Sequence, residues 1–322
     1  MILSSGSTAL MDSTNSAEAT LTRRLTHLFD RPYLLLVLAV LFWSGNFIIG
    51  RAVHMAVPPV GLAFWRWSGG TMIVLGFAWS HLKHDWPQIV RHLPILLLLS
   101  LLGVATFNTL VYTGLGFTTA ISGLLMQSTM PIIIMALSYL LFREAITRRQ
   151  AAGVVLSLAG ALTIIMRGDW AVLRALALNI GDVLIFIAVV SYAGYSVLLR
   201  KRPALHPLSF LAVTFATGTV MLLPFYIWEH MAGLPMLLNR TTLLAVSYVA
   251  IFPSILSYLC YNRGVELVGA NRAGLFIHLL PVFGSLMAIL FLGETFQPFH
   301  SVGIALILGG IFLATRSRSA TG

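Results

Sequence analysis

The sequence predicts an all-α membrane protein, with ten transmembrane helices arranged as two inverted five-helix repeats. Three observations carry that prediction. Of 322 residues, 58% are hydrophobic and only 9% charged, against roughly 25% charged in soluble domains. Apolar runs of about 20 residues, enough to span hydrocarbon, recur along the chain. The stretch 122–160, SGLLMQSTMPIIIMALSYLLFREAITRRQAAGVVLSLAG, also returns near the C-terminus as AGLFIHLLPVFGSLMAILFLGETFQPFHSVGIALILGG. Pro131, Glu144, Gly153 and Gly160 match Pro281, Glu294, Gly303 and Gly310 at a constant offset of 150. An echo of fixed period sets the architecture.

In chain order, residues 1–32 are rich in Ser, Thr and Ala and read as a disordered cytoplasmic tail, not a cleavable signal. The first repeat, 33–166, holds spans near 33–52, 58–79, 94–113, 121–142 and 149–166. A short extracytoplasmic linker follows at 167–180. The second repeat, 181–316, holds spans near 181–199, 207–228, 243–262, 273–292 and 300–316, and residues 317–322 form a cytoplasmic tail. The early parts of the two repeats also match, now at an offset of 149: Gly45, Arg51, Pro58, Ala63 and Gly69 against Gly194, Arg200, Pro207, Ala212 and Gly218. Five spans per copy is an odd number, so the second copy enters from the opposite face.

The formal charge of +10 is a topology signal and not a nucleic-acid footprint, because of where it sits. With the N-terminus in the cytoplasm, fifteen Lys and Arg fall on the inner side, among them Arg143, Arg148, Arg149, Arg200, Lys201 and Arg202. Only Arg51, Arg167, Arg174 and Arg240 fall outside. The positive-inside rule then places both termini in the cytoplasm. The single cysteine, Cys260, excludes an intrachain disulfide.

Inverted repeats are a recurrent plan for alternating-access carriers, with the substrate site near the midplane between the halves. Duplication of a stable packing unit, which channels also show, is the alternative. The strings LFWSGNFIIGRAV and PPVGLAFWRWSGG, with the doubled Pro–Glu–Gly–Gly series, resemble the EamA family of the drug/metabolite transporter superfamily over about residues 33–316. The resemblance implies a ten-helix inverted-repeat carrier, usually an exporter of amino acids or other small metabolites from the bacterial cytoplasm. It names no substrate.

Candidate pathway residues follow from depth and chemistry. Pro131 and Pro281 sit mid-span, lack an N–H, and bend their helices, freeing the carbonyls four residues earlier at Gln127 and Ile277. Beside them lie the side chains of Gln127, Ser128 and His278. His278, Pro281 and Ser285 share one helical face; for His278, a hydrogen bond to backbone competes with substrate or proton contact. Arg66 lies roughly 12 Å from the outer end of its span, with no carboxylate at that depth. It either pairs with backbone carbonyls or meets a substrate carboxylate. Asp182 instead reads as a helix N-terminal cap. Trp43 and Asn46, one turn apart, combine an apolar plane with an amide, and Tyr192 and Tyr195 occupy the matching region of the second copy. Asn108 and Tyr112 correspond to Tyr258 and Asn262, the same pair in exchanged order. For Tyr112 and Asn262, interhelical glue is the preferred reading. Small-residue stripes at Gly153, Ser157, Gly160, Gly303 and Gly310 fit close helix packing.

No HExxH pattern or second intramembrane aspartate supports an enzyme, and no cofactor is expected. A phosphate-type substrate would need several cations, and only Arg66 lies in the bilayer. The expected partners are therefore a small-molecule substrate and the lipid bilayer, not nucleic acid. The reading is an inner-membrane exporter of small metabolites, amino acids first, with multidrug or organic-cation export as the alternative and a channel or membrane-embedded enzyme further behind.

Overall fold

The structure, a computed structural model, describes residues 29–316 apart from 54–56, 170, 175–177, 235 and 294. Most of the expected N-terminal tail, the C-terminal tail and Glu294 therefore lie outside the described residues. Every regular element within them is helical. The long helices are α1 (Pro32–Val53) and α2 (Pro59–Arg91), α3 (Leu93–Leu115) and α4 (Ala120–Phe142), and α5 (Arg148–Ile165). They continue with α6 (Ile180–Lys201), α7 (Pro207–Met231), α8 (Arg240–Val268), α9 (Ala270–Phe291) and α10 (Pro298–Thr315).

Seven of these, α3, α4 and α6 to α10, are long and apolar enough to cross a membrane, and Pro32–Asn46 in α1 is a shorter apolar stretch. The two that fall short have evident reasons. α2 carries Arg66, Lys83, Asp85 and Arg91 over its 33 residues, and α5 opens on Arg148-Arg149-Gln150, which shortens its apolar run. Local chemistry sets the starts. Thr147 and Gln150 form a reciprocal capping box on α5. Asn179 and Asp182 do the same on α6, with the Asp182 carboxylate accepting the Asn179 N–H at 3.0 Å, so Asp182 caps as its position predicted.

Contacts between the halves come in twos. α1 packs on α8 and α6 on α3; α1 packs on α9 and α6 on α4; α2 packs on α8 and α7 on α3. Two further pairs join counterparts directly. In the α5–α10 pair, Gly153 faces Gly310 and Gly160 faces Gly303; a Cβ on Gly153 would stand 2.5 Å from the Gly310 oxygen, and one on Gly160 2.6 Å from the Gly303 oxygen. Both contacts sum to the same residue total, so the helices run antiparallel, and each contact is the other's repeat image. Only glycine lets the backbones approach this closely.

The second counterpart pair, α2 and α7, is also antiparallel and is closed at both ends by a carboxylate. Glu229, near the C-terminus of α7 and 5% exposed, accepts the N–H groups of Val60 and Gly61 at 3.1 and 2.6 Å. Asp85, late in α2, accepts the N–H of His206 at the N-cap of α7 at 2.9 Å. Each acid thus satisfies donors that the opposing helix leaves orphaned at its start.

The mid-span prolines do break their helices. α4 is interrupted at Thr129, between Ala120–Ser128 and Met130–Phe142. In α9 a 3-10 turn at Phe276–Leu279 precedes Pro281. The Ile132 N–H turns to Thr129 O at 3.1 Å, so the Ser128 carbonyl is freed in α4 in addition to that of Gln127, whose i+4 residue is Pro131. His278 Nε2 donates to the Ser128 carbonyl at 2.9 Å. Ser128 and His278 are repeat counterparts, so the two broken helices are bolted to each other at their breaks.

Candidate functional site

Both α3 and α8 contain one π-helical stretch, Leu101–Thr106 and Ile251–Leu256, again 150 residues apart. A wider turn leaves carbonyls without an in-helix donor, and buried carbonyls need one. Pro253 adds to the deficit because it has no N–H; the hydroxyl of Ser254 makes good the loss by donating to Val249 O at 2.8 Å. The freed carbonyls are then served across the interface. Gly103 O accepts the Tyr258 hydroxyl. Its counterpart, Pro253 O, accepts Trp43 Nε1 at 3.1 Å and Arg66 Nη2 at 3.0 Å. Side chains of each half therefore satisfy the backbone of the other.

Arg66 is 1% exposed. Its Nε donates to Ser254 Oγ at 2.6 Å, and its Nη1 to Asn46 Oδ1, Asn108 Oδ1 and the Tyr112 oxygen at 3.1, 2.9 and 2.9 Å. Tyr112 in turn donates to Asn46 Oδ1 at 2.7 Å. Trp67 lies under the guanidinium at 4.8 Å. Among the described residues no carboxylate touches this charge, so it is held by dipoles alone. One acceptor is a backbone carbonyl and the rest are side chains, a richer set than the depth of Arg66 implied.

The repeat counterpart of this cluster is built differently. Asn46 and Tyr112 correspond to Tyr195 and Asn262, which form the same bond in reverse, Tyr195 hydroxyl to Asn262 Oδ1 at 2.8 Å. Asn108 corresponds to Tyr258, Val111 to Tyr261 and Arg66 to Phe215. The outcome is a contiguous aromatic layer. Tyr192, Tyr195, Tyr258 and Tyr261 lie within 5.3–6.2 Å of one another in four of their ring pairings, and Trp43 meets Tyr261 at 5.0 Å and Tyr192 at 5.6 Å.

A small cavity of about 30 Å³ lies where the halves meet. Its wall includes both members of three counterpart pairs: Trp43 and Tyr192, Gln127 and Ile277, Met130 and Leu280. The same wall takes in Asn46, Phe107, Asn108 and Val111 from the first half only. The positions matching the last three are filled by Ser257, Tyr258 and Tyr261, so bulk in one half replaces space in the other. At this size the cavity holds about two waters, a contracted site. Asn108 Nδ2 and Gln127 Nε2 are buried there without a hydrogen-bond partner. Toward the face bearing Arg200 and Arg202 opens a much larger vestibule of about 960 Å³, lined by Ser196 and Asn262 at its depth and by Glu144 and Glu266 nearer its mouth. The tyrosine layer separates the two.

Of the sequence-derived candidates, Trp43, Asn46, Asn108, Gln127 and Tyr192 line the central cavity, Arg66 stands behind its asparagines, and Tyr195 and Tyr258 form the layer beside it. Others are placed elsewhere. His278 is fully buried, with Nδ1 at 2.7 Å from Ser157 Oγ and Nε2 on Ser128 O; it does not reach the cavity. The Ser128 hydroxyl bonds Leu124 O at 2.9 Å, and Ser285 is partly exposed and away from the wall. Pro131 and Pro281 act as helix breakers behind it. Sequence reasoning passed over Pro253, Ser254, Phe107 and Tyr261, and read Tyr112 as interhelical glue, as its bond across to Asn46 bears out. The readable signal for Pro253 was a further intraspan proline.

The model of the EamA-like transporter family matches residues 30–166 and again 179–316. The chain belongs to that family. An uncharacterized transporter of Bacillus subtilis, YyaM, is 25% identical over 289 residues, 88% of this chain and 93% of its own length. A Salmonella typhimurium protein named a probable amino-acid metabolite efflux pump is 24% identical over 299 residues, 87% and 93% of the two chains. One solved crystal structure shares the fold at a TM-score of 0.69 and 19% identity, covering 88% of this chain and 97% of its own. This EamA-like transporter is thus a multi-pass membrane protein of two repeats, and its central cavity is walled by counterpart residues of both.

Proposed function

We propose that the chain exports small metabolites of the amino-acid class across the bacterial inner membrane by alternating access, crossing the bilayer ten times with both termini in the cytoplasm. The observation that carries this reading is the central cavity, walled by both halves and capped by an aromatic layer under a wide vestibule. A carrier needs a site that either half can seal, and a shared wall with different filling on the two sides supplies one. On the positive-inside rule the vestibule faces the cytoplasm, the side from which an exporter loads. The name of the Salmonella relative points to the same substrate class. α2 and α5, whose apolar runs are shortened by charge, cross with their neighbours, since Arg66 is buried among dipoles and the arginines of α5 lie at the cytoplasmic end.

The test is counterflow with purified protein in liposomes. Labelled amino acids should accumulate against an unlabelled internal pool, saturably and with an optimum in internal concentration. Flux that is linear in concentration and shows no exchange would identify a pore, and transport of organic cations alone would move the substrate class.

A further inference from the structure

We infer that the central cavity reads a carboxylate and does not read an amine, so that N-acylated amino acids and other small organic monocarboxylates with an apolar or aromatic body are substrates alongside amino acids. The inference rests on the cavity being the substrate site, as proposed above, and adds the chemical group recognised there.

The argument begins with Arg66. Its charge is buried and meets only neutral acceptors. Two of these, Asn46 and Asn108, also line the cavity. Because Arg66 takes the Oδ1 of each, the amide dipoles are aligned with their negative ends on the guanidinium and their Nδ2 ends away from it. This also settles which atom of each amide is nitrogen, an assignment otherwise open. The Asn108 Nδ2 that results is a buried donor with no partner in a residue 97% buried, and Gln127 Nε2 is a second. Native proteins leave few buried donors unpaired without a reason. Here both belong to the wall of one cavity, backed by an uncompensated cation.

Such a wall suits an anionic acceptor. A carboxylate offers four lone-pair positions to the amide donors and supplies the negative charge that Arg66 lacks. A primary ammonium meets the opposite conditions. The cavity wall contains no acidic side chain among the described residues, and the asparagine oxygens are already occupied by a group of its own sign. An amino-acid ammonium can only point to the aromatic side, where the Trp43 face and the unpartnered Tyr192 hydroxyl offer neutral contacts and no counter-charge, so acylation of the nitrogen breaks no ion pair.

Equilibrium binding of labelled N-acetylphenylalanine to the full-length protein in detergent tests this directly. Phenylalanine should compete within about tenfold of the unlabelled probe, while phenethylamine and N-acetylphenylalanine amide should fail at roughly hundredfold excess. Asn108→Asp keeps the Oδ1 acceptor for Arg66 but places an internal carboxylate in the wall; it should weaken the probe by at least about tenfold with no loss of thermal stability. Asn108→Ser, which keeps a donor, should bind more tightly than Asn108→Asp. Competition by the amine or the amide as strong as by the acids, unaltered binding in Asn108→Asp, or no binding of the probe would each overturn the inference. Carboxylate-selective binding without liposome transport would instead sink the carrier reading and leave the inference intact. Amino-acid counterflow indifferent to loss of the carboxylate would do the reverse.

Discussion

Replacing His278 by alanine should destabilise the protein without altering its substrate preference. The ring is fully buried and closes two contacts at once, to the Ser157 hydroxyl and to the Ser128 carbonyl. A neutral side-chain hydrogen bond within a membrane protein averages only about 0.6 kcal/mol, so the bonds themselves are minor. Two larger effects add to them. The Ser128 carbonyl lies at a helix break, where no backbone donor is free to replace the ring, and an orphaned buried acceptor costs about 1–3 kcal/mol. The missing ring also leaves a void between α4, α5 and α9, at a cost of about 1–2 kcal/mol after partial collapse. These two effects together come to about 2–5 kcal/mol, or roughly 5–20 °C in apparent melting temperature for a chain of this size. Tryptophan fluorescence on heating in detergent would measure it, alongside counterflow normalised to folded protein. His278→Gln, which retains a donor, should recover part of the loss. An alanine variant that melts with the wild type yet no longer transports would refute the reasoning and return His278 to direct contact with substrate or proton.

Further expectations concern the seams. Gly153→Ala and Gly310→Ala should each lower thermal stability by about 1–3 kcal/mol through overpacking, whereas Gly76→Ala, with nothing within 4 Å of the added carbon, should be neutral or slightly stabilising in the same melts. Glu229→Ala leaves the Val60 and Gly61 N–H groups unpaired and should cost about 2–4 kcal/mol; Glu229→Gln, still able to accept, should recover at least half. Acid should loosen the opposite end. Burial pushes the Asp85 carboxyl up, but the nearby Ser209 hydroxyl and the bond from the His206 N–H, with His84 and His206 close by, bring it below its usual value. Burial and the stacked His81 hold His206 below its usual range against the pull of Asp85. Both shifts carry the same sign: stability from His206 is full above about pH 6.5 and declines as pH falls through its depressed folded value. That from Asp85 persists above its unfolded value near 4 and goes at still lower pH. Melting temperatures measured from about pH 8 down to about pH 2.5 should fall in that order, and His206→Gln should remove the first decline.

The repeat was legible because it is written in residues with few substitutes. Glycines at a backbone crossing and prolines at a break admit little exchange, so Gly153, Gly160 and Pro131 reappear intact 150 residues on. Details that depend on a partner were not legible. The π turns of α3 and α8 leave no compositional mark; they persist because Tyr258, Trp43 and Arg66 arrive from the other half to take the freed carbonyls. The proline offset pointed to the Gln127 carbonyl, but not to the tightened turn at Thr129 that frees the Ser128 carbonyl as well. His278 stood out as a polar residue in an apolar run, and nothing in its own neighbourhood showed that its repeat counterpart would be its partner. Conversely, the exchanged Asn–Tyr pairs were visible as an exchange, and Tyr112 and Asn262 do join helices; what that reading left out is that each tyrosine orients an amide, Tyr112 that of Asn46 beside the cavity and Tyr195 that of Asn262 beside the vestibule.

The unequal filling of the two halves bears on energetics. A carrier whose halves were identical would have inward- and outward-facing states of equal free energy. Here Asn108 and Val111 stand opposite Tyr258 and Tyr261, so exchanging the shapes of the halves requires one side to expel tyrosines from a packed layer and the other to close over small polar groups. The two end states cannot be isoenergetic, and a tilt of 1.4 kcal/mol would hold about ten molecules facing one way for each facing the other. Such a tilt decides where idle carriers wait and how readily each face loads. It drives no uphill transport, because the same tilt enters the outward and return steps with opposite sign. Net direction belongs to the gradients across the membrane.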